Sequence, residues 1–174
     1  MDLRPATPDD EAALTILLAA SYRELLAGHY PEFVLRAALP FMTRANPALL
    51  KSGTYYVAEQ HGRTAGCGGW TREKPGTGAV VPHIAHIRHF ATHPDFARRG
   101  VGRLIAEHCI AEARRAGIRL LCASSTLPAE KFYACLGFVR ERESETAFSK
   151  DVRFPSIEMV LRLEAIAGGD TPPG

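Results

Sequence analysis

The sequence predicts a single-domain α/β protein, with a mixed, mostly antiparallel sheet of six to seven strands and helices on both faces. Three observations predict it. The first third has helical apolar spacing, the middle carries a β-branched and aromatic hairpin, and a later strand runs into a glycine-rich loop that opens a long helix. The 174 residues, 46% of them hydrophobic, suffice for one well-buried core.

Taken in order, residues 3–6 read as a short strand. Thr7 then caps a helix with Pro8 at its first position and Asp9, Asp10 and Glu11 in its first turn. Its apolar stripe is Leu14, Leu17 and Leu18, continued by Tyr22, Leu25 and Leu26 until Gly28. A second amphipathic helix spans 31–45, and Pro40 is expected to bend or break it, because proline lacks the N–H and crowds the preceding turn. Residues 54–59 (TYYVAE) form a strand, His61-Gly62 a turn, and residues 63–70 (RTAGCGGW) the hairpin partner. The glycines of that partner imply close approach of another backbone. A Pro/Gly-rich loop follows over 71–82. Beyond Gly102, the residues Val101, Leu104, Ile105, Cys109 and Ala113 line one side of a helix, with Arg103, Glu107 and Arg114 on the other and Gly117 as C-cap. A short buried strand covers 118–123, a short helix runs from Pro128 to Gly137, and strands at 138–148 and 154–163 complete the domain. The boundary falls at 1–166, with 167–174 (GGDTPPG at its end) as a flexible tail.

The stretch PHIAHIRHFATHPDFARRGVG at 82–102 has two readings. His83, His86, His89 and His93 recur at spacings of 3, 3 and 4, which a helix would gather on one face as a metal site. Yet the segment feeds a turn at Thr92-His93-Pro94 and then a glycine-rich helix start, the usual sequel to a strand. On a strand His86, Arg88, Phe90 and Thr92 share one face, and Ala85, Ile87, His89 and Ala91 the other. His83 and His89 then lie about 10 Å from His86 at ~3.3 Å per residue, too far for one zinc ion with ligands ~2 Å away. No metal is expected. The chemistry lies in ARRGVG instead. Gly100 and Gly102 let the backbone approach a ligand, the first amides of the helix are unpaired and partly positive, and Arg98, Arg99 and Arg103 add charge for an anion such as a pyrophosphate. The P-loop pattern GxxxxGK[ST] is absent, and about 20 residues on stands Leu120-Leu121-Cys122 with no acid for a ribose, which argues against a dinucleotide enzyme.

Composition excludes other classes. A net charge of +2 is too small for a nucleic-acid or membrane-surface partner. The four cysteines, Cys67, Cys109, Cys122 and Cys135, lie far apart and read as reduced thiols of a cytoplasmic protein. The start MDLRPATPDDEAA places acids where the apolar core of a signal peptide would be, and no apolar run is long enough to span a membrane.

The run HFATHPDFARRGVGRLIAEHCIAEARRAGIRLLCASSTLPAEKFYACLGF resembles the core of the GNAT superfamily, the acyl-CoA-dependent N-acyltransferases. The likeness is strong over residues 83–140, and the order of elements extends it over nearly the whole chain. The family signature, Gln or Arg, two residues, Gly, one residue, then Gly or Ala, falls on Ala97-Arg98-Arg99-Gly100-Val101-Gly102. Ala97 departs from the usual long polar residue. The resemblance implies a sheet with splayed central strands and acetyl-CoA as co-substrate, its pyrophosphate on the amides of Arg98, Arg99, Gly100, Val101 and Gly102, continuing to Arg103. The pantetheine arm would lie between the strand ending at Phe90, Ala91 and Thr92 and the strand at 118–123. Where many relatives carry an Asn after that second strand, this chain has Ser124-Ser125-Thr126-Leu127, so Ser125 is the candidate contact.

By the same resemblance Tyr133 of FYxxxGF stands as the general acid for the thiolate. His86 falls near the position of the family's Glu and is the candidate general base, suited by an ordinary pKa of about 6.5. The acceptor implied is a primary amine of a small molecule, acetylated by direct transfer in a ternary complex. Tyr22, Tyr30, Phe33, Trp70 and Phe154 stand in the segments that usually shape its site, though aromatic residues at such spacing more often pack in a core. A homodimer joined through the terminal strands is common in such proteins. The alternative is a non-catalytic domain of the same fold that binds acyl-CoA as a sensor or interaction module.

Overall fold

The computed structural model describes residues 1–164, so the expected tail at 167–174 lies outside the described residues. Seven strands form one sheet in the order β1-β2-β3-β4-β5-β7-β6: β1 (Asp2–Pro5), β2 (Tyr55–Gln60), β3 (Arg63–Thr71), β4 (Ile84–Thr92), β5 (Leu120–Ser125), β6 (Val139–Ala147) and β7 (Arg153–Arg162). Among the described residues the only parallel pair is β4 with β5. Five helices cover the faces: α1 (Glu11–Leu25), α2 (Glu32–Met42), α3 (Pro47–Leu50), α4 (Val101–Arg115) and α5 (Glu130–Cys135). The mixed, mostly antiparallel sheet with helices on both faces is the architecture expected.

The helical stripes explain which face each helix covers. Val101, Ile105, Cys109 and Ala113 of α4 recur every fourth residue and are buried, with Ala85, Ile118, Leu121, Ala123, Tyr133 and Phe138, on one face of the sheet. Leu14, Leu17, Leu18 and Tyr22 of α1 pack with Val57, Cys67, Ala91 and Phe154 on the other. A fully buried aliphatic side chain of this kind stabilises the fold by about 1.5–3 kcal/mol. The start of the first helix is held electrostatically. Asp10 accepts the Thr7 N–H at 2.7 Å and the Arg4 guanidinium at 2.7 and 2.9 Å, and Arg4 in turn reaches Glu59. The Arg4 hydrogen bond holds the Asp10 carboxyl down at about 2.

The structure departs from the sequence reading at three places. Pro40 does not break α2. It sits in the last turn, where its missing N–H forfeits one bond, that to the exposed Arg36, while the turn still closes with the Thr43 N–H on the Leu39 carbonyl at 2.9 Å. The short helix α3 had no sequence expectation, although Asn46-Pro47 is a helix start and the Asn46 side chain accepts the Ala48 N–H at 2.9 Å. The third correction bears on the site.

The strict alternation expected along β4 fails at His89. Its φ is +51°, and the pairing with β3 shifts register between Cys67↔Ala91 and Gly69↔Arg88, so β4 carries one extra residue, a bulge. Ile87 and Phe90 therefore pack on the α4 side, while His89 and Ala91 turn towards α1 and α2. The bulge is held from several directions. Tyr55 donates its hydroxyl to the His89 carbonyl at 2.8 Å, Tyr22 donates to the Phe90 carbonyl at 3.0 Å, and His89 Nε2 lies 2.7 Å from the Met42 carbonyl. Burial pushes the pKa of His89 down, against the hydrogen bond to the Met42 carbonyl, which favours the charged ring.

The β3 glycines do admit close neighbours, and only in part backbone. A Cβ on Gly68 would lie 2.6 Å from the Phe90 ring, and one on Gly66 would lie 2.6 Å from the Val101 side chain. Gly69 meets the backbone of Thr54 and Tyr55. Gly68 thus makes the room into which the bulge drops its aromatic ring.

Candidate active site

Beyond the bulge the sheet opens. β4 and β5 pair over three positions only, Ile84↔Leu120, Ala85↔Leu121 and His86↔Cys122. β4 then stays with β3 as far as Thr92↔Gly66, while β5 stays with β7 as far as Ser125↔Ile157. The two strands diverge between these anchors. Their facing edges present backbone donors and acceptors that an extended chain can pair with as an added strand.

The loop at the open end has the geometry of an anion cradle. Arg98 and Gly100 both adopt left-handed conformations, at φ +60° and +82°. Alternation of left- and right-handed residues turns successive N–H groups towards one point. The first amide of α4 to reach a helical acceptor is that of Leu104, at 2.9 Å from the Gly100 carbonyl. The amides of Arg98, Gly100, Val101, Gly102 and Arg103 have no backbone partner among the described residues, whereas that of Arg99 is directed at the Phe96 carbonyl at 3.3 Å. A Cβ on Gly100 would meet nothing within 4 Å, so the space over the loop is open. Five free donors at the positive end of a 15-residue helix suit a pyrophosphate. The side chains divide the work unequally. Arg103 is paired with Glu107 at 2.7 Å, and Arg99 lies over the Phe96 ring at 5.7 Å. Arg98 has no ion-pair or hydrogen-bond partner among the described residues.

Phe90, Ala91 and Thr92 line the open edge. The Phe90 ring lies 6.4 Å from those of Phe132 and Tyr133, and the Thr92 N–H points to the Ser21 hydroxyl at 3.3 Å. Ser125 closes the opposite edge, buried, with its hydroxyl donated to the Thr126 carbonyl at 2.8 Å. That leaves Ser125 able to accept but not to donate.

Tyr133 and His86 do not stand side by side. Tyr133 sits in the aromatic cluster on the α4 and α5 face, 5.3 Å from Phe138, and its hydroxyl makes no hydrogen bond within the described residues. Burial raises its pKa, so the phenol stays protonated through the neutral range. His86 is on the other face, between its cross-strand neighbours Thr71 and Cys122. It is half-buried and makes no hydrogen bond within the described residues. Burial first, then the positive charges of Lys74 and Arg88, lower its pKa below the usual 6.5. Tyr133 and His86 thus lie on opposite faces of the sheet, His86 at the last paired position of β4 with β5.

The remaining histidines go elsewhere. His83 Nδ1 lies 2.9 Å from the Gly117 carbonyl, and His93 Nδ1 accepts the Asp95 N–H at 3.2 Å. Most of the aromatic residues considered for the acceptor side are structural. Tyr30 stacks on Phe154 at 4.4 Å and ties the Leu127 N–H to the Pro155 carbonyl, and Trp70 turns its indole to Glu112 at 2.8 Å. Phe33 is exposed. Sequence reasoning missed Ser21, Tyr22 and Tyr55 as supports of the bulge. Their only signal was helical or strand spacing, which any core residue shares.

Fold and site together define a class, the coenzyme A-dependent acyltransferases with a splayed central sheet. Residues 51–140 match the family model of the acetyltransferase (GNAT) domain, and the chain belongs to that family, whose reaction is acetyl-CoA-dependent N-acetylation. Solved structures agree in fold. A GCN5-related N-acetyltransferase from Rhodopseudomonas palustris matches with a TM-score of 0.76 at 22% identity, over 93% of this chain and 95% of that one. The PaiA N-acetyltransferase from Thermoplasma acidophilum, solved with coenzyme A, matches at 0.68 and 13% identity over 93% and 98%. The ribosomal-protein-S18-alanine N-acetyltransferase from Escherichia coli matches at 0.64 and 20% identity over 97% of both chains. No helix among the described residues is long and apolar enough to cross a membrane.

Proposed function

We propose that this protein transfers the acetyl group of acetyl-CoA to a primary amine of a small molecule, directly, within a ternary complex. The observation that carries the reading is the set of free amides of Arg98, Gly100, Val101, Gly102 and Arg103 at the mouth of the β4–β5 opening. The loop amides hold the pyrophosphate, and the edges past Phe90 and Ser125 hold the pantetheine arm. His86 takes the proton from the attacking amine as the N–C bond forms. Tyr133 gives its proton to the sulfur as the C–S bond breaks, and solvent restores the phenol. A neutral His86 and a protonated Tyr133 are the forms this division of labour needs.

Initial rates of thiol release, with acetyl-CoA and a small amine both varied, test the reading. Intersecting lines are expected for a ternary complex; parallel lines would mean an acetyl-enzyme intermediate and contradict direct transfer. Turnover of peptide N-termini without turnover of any small amine would refute the acceptor class.

The role of His86 has its own signature in pH. Protonated His86 cannot accept a proton, and its pKa is lowered, so activity is expected to fall only as pH drops below 6.5. After correction for ionisation of the amine itself, kcat/KM of the native protein should show that acid limb. His86→Gln should lose the limb and about 10²–10⁴ in rate. A limb that persists in the variant would assign the base to another group.

A further inference from the structure

Two residues after His86, on the same face of β4, Arg88 stands half-buried without a carboxylate. Its guanidinium donates to the Thr71 hydroxyl at 2.7 Å, and no acidic side chain of the described residues lies within the 4.0 Å of an ion pair. The other arginines without a carboxylate, such as Arg72 and Arg98, are exposed. Arg4, Arg63, Arg103, Arg140 and Arg142 each have a carboxylate at 3.1 Å or less, and all five are more open to water, where pairing matters less. A cation taken partly out of water and left unpaired is costly, and such groups concentrate where a ligand supplies the missing charge.

Arg88 lies in the wall of a cleft of about 410 Å³, bounded by Leu49 of α3 and Ser52 after it, Thr54 before β2, Thr71 at the end of β3 and Arg72 beyond it. That volume suits a small metabolite. The Thr54 hydroxyl is donated to the Trp70 carbonyl at 2.5 Å and the Ser52 hydroxyl to Leu49 at 2.7 Å, so the donors to spare are guanidinium N–H groups: those of half-buried Arg88, and those of exposed Arg72, which gives one hydrogen bond to the Ala116 carbonyl at 2.9 Å. Glu73, which also lines the cleft, attracts Arg88 without pairing with it, and the charge of Lys74 reaches His86. Thr71 is the cross-strand partner of His86, so the cleft begins beside the base. Positions i and i+2 of a strand lie about 7 Å apart, within the span of a small amine that also carries an acid group.

We infer that the cleft beside Arg88 receives an oxyanion, a carboxylate or a phosphate, borne by the same small amine whose nitrogen is acetylated. This rests on the reading proposed above and narrows its acceptor to amino-acid-like or phosphorylated amines. The α-amine of a protein N-terminus has an amide beside it, and does not meet the requirement.

The test compares amines that differ only in charge. Thiol release from acetyl-CoA is measured with the common amino acids, their α-amides and O-phosphoethanolamine, for the native protein, Arg88→Gln and Arg88→Lys. An anionic amine should be preferred to its neutral counterpart. Arg88→Gln should raise KM for the anionic amine about 10- to 100-fold with kcat nearly unchanged, as loss of a charge-assisted hydrogen bond requires. The neutral amine should be unaffected, and Arg88→Lys should recover part of the loss. Preference for O-phosphoethanolamine over every carboxylate would make the oxyanion a phosphate. Equal rates with acid and amide, or an equal loss for both in Arg88→Gln, overturn the inference. If acetyl-CoA binds but no anionic amine is acetylated, the inference falls and the coenzyme site stands. If acetyl-CoA does not bind, the functional reading itself has failed.

Discussion

Gly100→Glu is expected to abolish acetyl-CoA binding while leaving the protein folded. The variant places a carboxylate at the centre of five unpaired amides, where the negative charge of the pyrophosphate is proposed to sit. A Cβ at Gly100 meets no protein atom within 4 Å, so no steric clash with the fold is expected. The φ of +82° at Gly100 adds strain of roughly 1–2 kcal/mol for any residue with a side chain. That is a modest part of the ~5–15 kcal/mol by which domains are stable. The prediction therefore separates binding from folding: a small drop in melting temperature and no response to the coenzyme. Undiminished affinity would remove the loop from the site.

Tyr133→Phe carries the second large effect. The change removes one oxygen from a buried ring that packs against Phe132 and Phe138 at 5.1 and 5.3 Å, and that oxygen has no hydrogen-bond partner among the described residues to lose. Stability should hold. Turnover should fall by about 10²–10⁴, the usual contribution of a placed acid, with acetyl-CoA affinity nearly unchanged. Loss of stability with turnover intact would make Tyr133 a packing residue and place the acid elsewhere. The two outcomes are distinguishable because the hydroxyl and the ring do different things.

The fold and the loop were legible because their causes are local. The stripe Val101, Ile105, Cys109, Ala113 orients α4 by itself, and Gly100 marks the left-handed residue that turns the chain into it. The pairing of β2 with β3 followed from a β-branched and aromatic run, a turn at His61-Gly62 and a second strand-like run. The bulge at His89 was not legible, since its causes are hydroxyls from Tyr22 on α1 and Tyr55 on β2, residues 68 and 34 positions away from the carbonyls they bind. An alternation rule has no access to such partners, so it assigned Phe90 to the wrong face. The Arg88 cleft was hidden for a related reason. Its floor depends on α3 and on the β3 end, and nothing around Arg88 in the chain marks it as unpaired. Aromatic residues misled in the opposite direction: Tyr22, Tyr30 and Trp70 look available for a pocket in sequence, yet each spends its polar tip on the scaffold.

The central claim, that the Arg98–Arg103 amides hold acetyl-CoA, is tested most directly by thermal unfolding of the native protein and Gly100→Glu against increasing acetyl-CoA, with NAD in parallel. At about 100 times Kd a ligand stabilises by roughly 2.7 kcal/mol. For a domain of this size that is a rise of roughly 5–10 °C, at about 2–4 °C per kcal/mol. The expected result is that rise in the native protein with acetyl-CoA alone, and none in Gly100→Glu. A native protein that ignores acetyl-CoA, or responds equally to NAD, or a variant that responds as the native protein does, would contradict the account.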